Sequence, residues 1–432
     1  MKRLNSVNPI RAILFGGAIA TAFSLSLVGP GVGNVVRAAW QESPKVIVDQ
    51  AWQIVNREYV DPSYNGQNWQ EVRRKLLDRS YSSKAEAYTA LRDTLKTLQD
   101  PYTRFMDPEQ YQALTNQTSG ELSGVGMRLQ VDPKTKVLTV ASPIKGSPAI
   151  EAGVLTGDQI LMIDGRSTKE MSVDEAAQLI RGEEGTSVKI KFSRDGKVFD
   201  RLIARARIEV PSVEFSLQQE GGDRIGYIRL SQFTAHAADE MQAAIKDLNS
   251  QGADAFVLDL RDNPGGLLYA AIDISRMWLN EGEIVSTIDR DEKDEHITAN
   301  RTAITDLPLA VLVNKGAASS SEILTGALQD NKRATVVGTE TFGKALVQSL
   351  HPLADGSGIA VTIAHYYTPK GTDISKKGIK PDVELKLSEK QLKELSDNPE
   401  TIGTIKDPQY AKAVSVLAQM KRPRVSSSGM VR

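Results

Sequence analysis

The chain contains no cysteine. That excludes disulfides, thiolate catalysis and cysteine-ligated zinc. Histidine is scarce: His236, His296, His351 and His365 are the four in 432 residues. No H-E-x-x-H or other close-spaced ligand set occurs among them, so a metal hydrolase lacks its ligands. No metal or other cofactor is expected. Neither sign of charge is in excess, with 53 Lys and Arg against 54 Asp and Glu and a formal net charge of -1. No overall field draws the chain to nucleic acid or to an anionic membrane, and no nucleic-acid partner is expected.

What is present begins with the N-terminus. Lys2, Arg3 and Arg11 precede an apolar run at 12–28, AILFGGAIATAFSLSLV, and Val36-Arg37-Ala38 follows. A positive start, an apolar run and a small residue at the end describe a secretory signal, with cleavage after Ala38. The run is shorter than the roughly 20 residues of a spanning helix, and a retained anchor is the alternative. It has no polar face, which speaks against a core helix.

Texture divides the rest. Residues 39–118 carry apolar residues at helical spacing, as in VIVDQAWQIVNREYV and AEAYTALRDTLKTL, and predict a helical region. From 119 to 206, short alternating runs between Gly and Pro turns predict a small, mainly β domain. From 207 to 390, strands and helices alternate. The runs FVLDL, LAVLV and TVVG are continuously apolar, as in strands covered on both faces of a mostly parallel sheet. The predicted class is therefore multidomain α/β. Residues 391–432 read as a helical segment followed by a Ser-, Arg- and Lys-rich disordered tail.

Three segments of the α/β region bear on chemistry. DLRDNPGG (259–266) follows a buried strand, and its two glycines leave backbone amides unhindered at a helix start, which favours a negative group. A plain strand-to-helix turn is the alternative. NKGAASSSEILTGALQD (314–330) crowds small residues into another such turn, where a nucleophilic hydroxyl is often carried. Ser319, Ser320 or Ser321 could equally cap the helix. In VVGTETFGKALVQ (336–348), Lys344 stands in an uncharged stretch. Desolvation would make it a general base, and Gln348 could orient its amine; a solvated surface lysine is the other reading. Together the three supply an oxyanion hole, a nucleophile and a base.

These segments resemble the carboxyl-terminal processing peptidases, or tail-specific proteases, of subfamily A of peptidase family S41, in their cyanobacterial form. The family pattern is similar to G-[ST]-A-S-A-S-E-I, then D, V-G and F-G-K-G-x-V-Q. Here it reads Gly316-Ala-Ala-Ser319-Ser-Ser-Glu322-Ile, Asp330, Val337-Gly338 and Phe342-Gly-Lys344-Ala-Leu-Val-Gln348. The resemblance implies Ser319 as nucleophile, Lys344 as base and Gln348 as its support. It implies the N–H groups of Gly265 and Ser320 as the oxyanion hole. Lys344 lies 25 residues after Ser319, the family's gap, which a nucleophile at Ser320 or Ser321 would break. Ala317, Ser320 and Ala345 depart from the usual Ser or Thr, Ala and Gly; none of these departures removes a catalytic group. The implied fold is a crotonase-like protease core with an inserted PDZ domain.

The β domain at 119–206 resembles that PDZ domain. Gly124, Val125, Gly126 and Met127 stand where its carboxylate-binding loop would be. Such domains add a peptide as a strand and capture its free C-terminus in backbone amides. Protein substrates with a free C-terminus are therefore the expected partners, a membrane-associated one among them. Arg181 is a candidate for coupling this domain to the core. Two other classes compete: a peptide-binding protein with an inactive core, and a thioester enzyme of crotonase type, against which the export signal speaks. A Ser-His-Asp scheme finds no better partner among the histidines, although His365 lies in a predicted strand. The resemblance further implies export to the thylakoid lumen or periplasm. Its leading implied substrate is the precursor tail of a photosystem II reaction-centre subunit, with general periplasmic tail proteolysis as the alternative.

Overall fold

The computed structural model describes residues 43–132 and 135–421. The expected signal at 1–38 and the tail after Lys421 lie outside the described residues. The chain forms two compact units. The first holds residues up to 112 together with 288–293 and 346–365, and the second holds 113–287, 294–345 and 366 onward.

The first unit is built on the helices Pro44–Glu58, Trp69–Asp78 and Lys84–Lys96. Each puts one apolar stripe inward, where Ile47, Ala51, Val55, Trp69, Leu76, Leu91 and Leu95 form a core. Asn68 and Ser83 cap the second and third helices, accepting hydrogen bonds from the N–H groups of Glu71 and Glu86. The strand Leu346–Pro352 pairs antiparallel with Gly358–Tyr367, with Gln348 opposite Thr362. Leu353, Ile359 and Val361 complete the same core. This hairpin thus belongs with the N-terminal helices, whereas its β-rich sequence reads as part of the α/β core. Periodicity finds a strand but does not name the surface its apolar face will cover.

In the second unit, the antiparallel strands Met127–Val131, Leu138–Pro143, Gln159–Ile163, Ser187–Arg194 and Lys197–Ala204 enclose a core of Val140, Ile160, Ile163, Val188, Ile190 and Phe192. The helix Val173–Ile180 lies over it, started by a reciprocal Ser172–Glu175 capping box. A two-stranded ribbon of Glu121–Gly124 and Ala206–Glu209 carries the chain in and out of this β domain.

The remainder is a six-stranded sheet in sequential order: β1 (Val213–Glu220), β2 (Asp223–Leu230), β3 (Ala255–Asp259), β4 (Leu309–Val313), β5 (Thr335–Gly338) and β6 (Val383–Glu384). β1 is antiparallel to β2, and every later pairing is parallel. All residues of β3 and β4 are buried, as their unbroken apolar runs predict. The crossover helices are α1 (Ala237–Ser250), α2 (Leu268–Trp278) and α3 (Ser320–Asp330), and the C-terminal helix is α4 (Pro408–Lys421). Tyr410, Ala413 and Leu417 of α4 pack against Val257, Ala310, Leu312 and Val337 of the sheet. The turns that follow β3 and β4 emerge at the carboxyl ends of parallel strands, where open α/β sheets place their sites.

Candidate active site

The turn after β4 delivers Ser319 at the start of α3 with φ 54° and ψ -115°. A capping serine ordinarily sits in extended backbone, as Ser172 does here with φ -70° and ψ 160°. The left-handed value costs strain, and such strain recurs where a hydroxyl must stand clear of a sharp strand-to-helix turn. The neighbouring serines are differently placed. Ser320 Oγ donates to the Gly266 carbonyl at 3.0 Å and Ser321 Oγ to the Asn263 carbonyl at 2.9 Å, and both side chains are buried. Ser319 is half-buried.

The turn after β3 abuts this one. Gly265 has φ 99°, and a Cβ there would stand 2.7 Å from the Ala318 carbonyl oxygen and 2.9 Å from Ser319 Cβ. Only glycine fits such an approach. Asn263 is the hub. Its carbonyl also accepts the Ala318 N–H at 3.0 Å, and its side-chain Oδ1 accepts the Gly265 N–H at 2.9 Å. Among the described residues the Ser320 N–H and the Gly266 N–H have no hydrogen-bond partner.

Glu322, one turn into α3, is fully buried and holds the site together. Its Oε2 accepts the N–H groups of both Ser319 and Lys344 at 2.9 Å. Its Oε1 accepts the Gly343 N–H at 2.7 Å and the Thr341 hydroxyl at 2.5 Å. Burial pushes its pKa above the usual carboxylate value, although four donors pull the other way. On the opposite side, the buried Tyr366 hydroxyl reaches the carbonyls of both Ser319, at 3.2 Å, and Lys344. The main chains of residues 319 and 344 are thus clamped together at their N–H groups by one side chain and at their carbonyls by another. Sequence reasoning assigned no role to Glu322 or Tyr366. A charged residue directly before the apolar pair Ile323-Leu324, in the first turn of a buried helix, was the available signal for Glu322; none pointed to Tyr366.

The remaining predicted residues fall as follows. Gln348 lies in the first unit, on the strand Leu346–Pro352 beside a register shift, and its Nε2 is buried without a partner among the described residues. Gly126 has φ 78°, and its Cβ position is filled by Ser147. The carbonyls of Val125 and Gly126 turn into the β domain, accepting from Ala149 and Ile144. The N–H groups of Val125 and Gly126 have no hydrogen-bond partner among the described residues. Gly124 ends the entry strand and Met127 begins the next. Arg181 caps the helix Val173–Ile180 and is exposed; among the described residues no partner meets its guanidinium, whereas Arg128 bridges to Glu214 of β1 at 2.8 Å. No histidine hydrogen-bonds Ser319, Ser320 or Ser321 among the described residues, and His365 is exposed. His351 and Ser349 do meet Glu58, but both contact one Glu58 oxygen and each other through the same His351 Nε2 (2.6 and 3.0 Å). A triad needs the carboxylate on the other ring nitrogen.

The sequence model of Peptidase family S41 matches residues 224–385, and that of the PDZ domain matches 139–194. The carboxyl-terminal-processing protease of Synechocystis sp. is 48% identical over 369 residues, covering 84% of this chain and 86% of that protein. The chloroplastic carboxyl-terminal-processing peptidase 2 of Arabidopsis thaliana is 40% identical, covering 84% and 72%. Among solved structures, a photosystem II D1 C-terminal processing protease superposes with a TM-score of 0.53 at 37% identity, covering 79% of this chain and 93% of its own.

Proposed function

This chain belongs to peptidase family S41, among its carboxyl-terminal-processing proteases, and from that premise we propose that it is an exported serine endopeptidase in which Ser319 attacks and Lys344 is the base. The observation that carries the proposal is the double clamp of Glu322 and Tyr366, which ties the backbone of Ser319 to that of Lys344. The strained φ of Ser319, and the inward commitment of the Ser320 and Ser321 hydroxyls, support the same choice of nucleophile.

In this reading the neutral Lys344 amine takes the Ser319 hydroxyl proton as Oγ bonds to the scissile carbonyl carbon. The oxyanion is met by backbone N–H groups. Ser320 N–H stands ready; Gly265 N–H must share its bond with Asn263 Oδ1 or release it. Collapse breaks the C–N bond, and the leaving amine receives the proton from Lys344. Water then attacks the ester and loses a proton to Lys344; as the C–O bond breaks, Lys344 returns that proton to Ser319 Oγ, freeing the new C-terminus and restoring the hydroxyl and the neutral amine. These steps call for no metal or nucleotide.

The PDZ domain is assigned the capture of a substrate's C-terminal carboxylate through the amides of Val125 and Gly126, with Gly124 and Met127 flanking them. The substrate proposed is the precursor tail of a photosystem II D1-type subunit, in the thylakoid lumen or periplasm; the name of the solved relative and the chloroplastic location of the plant relative support this. Cleavage of tail peptides by the purified protein, followed by mass spectrometry, tests the reading. Ser319→Ala and Lys344→Ala should each abolish cleavage, and amidating the peptide C-terminus should weaken it. Full activity in Lys344→Ala would sink the mechanism.

A further inference from the structure

Arg261 lies four residues before Gly265, in the turn that follows β3, and is buried. Its guanidinium is gripped from two directions. Asp259, at the end of β3, accepts from Nε at 2.9 Å and from Nη2 at 2.6 Å. Asp407, just before α4, accepts from Nη1 at 3.2 Å and from Nη2 at 2.6 Å. Gln409 Oε1 accepts from Nη1 at 3.0 Å, and is itself fixed by its Nε2 donating to the Leu385 carbonyl at 2.8 Å. Both carboxylates are fully buried, and Tyr227 donates to Asp259 Oδ2 at 2.7 Å. Asp407 also accepts the N–H groups of Gln409 and Tyr410, so one carboxylate both starts α4 and holds Arg261.

A planar, five-donor guanidinium held bidentately on two sides has little freedom left. Two residues further on stands Asn263, whose side chain holds the Gly265 N–H and whose carbonyl receives Ala318 and Ser321 from the nucleophile turn. The family match ends at residue 385, well before Asp407. We infer that Asp407 and Gln409, at the head of the C-terminal helix, are positioning residues for catalysis, acting through Arg261 to fix the turn that carries Asn263 and Gly265 against Ser319. This rests on the Ser–Lys reading above, because it concerns the same oxyanion turn.

The test uses the full chain with Asp407→Asn, Arg261→Lys and Gln409→Ala. Turnover is referred to sites titrated with a serine-reactive fluorophosphonate, so unfolded protein does not count. A loosened turn misplaces the oxyanion donors, and misplacement near 1 Å costs on the order of a hundredfold. Asp407→Asn should therefore lower kcat per titrated site about ten- to a hundredfold with KM within about twofold. Gln409→Ala should give a smaller loss of the same kind. The double variant Asp407→Asn, Arg261→Lys should lose no more than the worse single one, because both act through one contact. If Asp407→Asn and Arg261→Lys do not fold, Gln409→Ala decides the matter. Unchanged kcat per titrated site, even with a lowered Tm, overturns the inference. So does multiplication of the two single losses in the double variant. Failure of the wild type to cleave any tail would instead sink the protease reading itself.

Discussion

Glu322 shows how one buried side chain can hold two distant backbone positions, those of Ser319 and Lys344. Its four donors come from the turn that carries Ser319 and from the loop that carries Lys344. Changing it to Gln keeps the shape but turns an NH2 toward N–H groups that now lack an acceptor. A buried donor left unmet costs about 1–3 kcal/mol. Glu322→Gln should therefore lower stability by about 2 kcal/mol, and it should lower kcat more than it raises KM because the tie between residues 319 and 344 is cut. Denaturant melts and steady-state kinetics check both; a kcat equal to wild type would deny the carboxylate its role. The triple serine makes the complementary point. Three equal hydroxyls are ambiguous in a string of letters, but two of them are spent on the carbonyls of Gly266 and Asn263.

Among the elements, the two turns after β3 and β4 depend on each other's closeness. A methyl at Gly265 would meet the Ala318 oxygen and Ser319 Cβ, both under 3.0 Å away, while φ 99° disfavours any side chain. Gly265→Ala should push the turns apart and reduce cleavage on the order of a hundredfold, with a melting temperature several degrees lower. The loss should appear at saturating substrate. Had the glycine been needed only for the turn, the melting temperature would fall while kcat per folded molecule stayed.

The first unit carries its own pH dependence. Burial alone would raise the Glu58 pKa, but hydrogen bonds from His351 and Arg57 hold it at about 2, against 4.5 for an ordinary glutamate. Between those values the unfolded chain binds a proton that the folded unit does not. Stability is therefore fully present above about pH 4.5 and drains away as pH falls toward 2. Glu58→Gln should flatten this slope in acid melts followed by tryptophan fluorescence, since Trp52 and Trp69 lie in that core. A slope unchanged in Glu58→Gln would assign the acid sensitivity to other carboxylates.

Much of this molecule follows from local rules. Unbroken apolar runs specify β3 and β4 because strands covered on both faces need no polar side. Glycines 265 and 266 mark a turn, since only glycine takes those angles freely. The 25-residue interval between Ser319 and Lys344 picks one serine of three through its resemblance to a family. The tertiary structure alone decided the rest. The hairpin of Leu346–Pro352 and Gly358–Tyr367 joins the N-terminal helices because its apolar face completes their core. Asp407 meets Arg261 across 146 residues, and Tyr366 meets Ser319 across 47. Periodicity and spacing report only what neighbours in sequence must do. Which distant backbone will need an acceptor, and which buried charge will need a partner, is settled only when packing removes water from both.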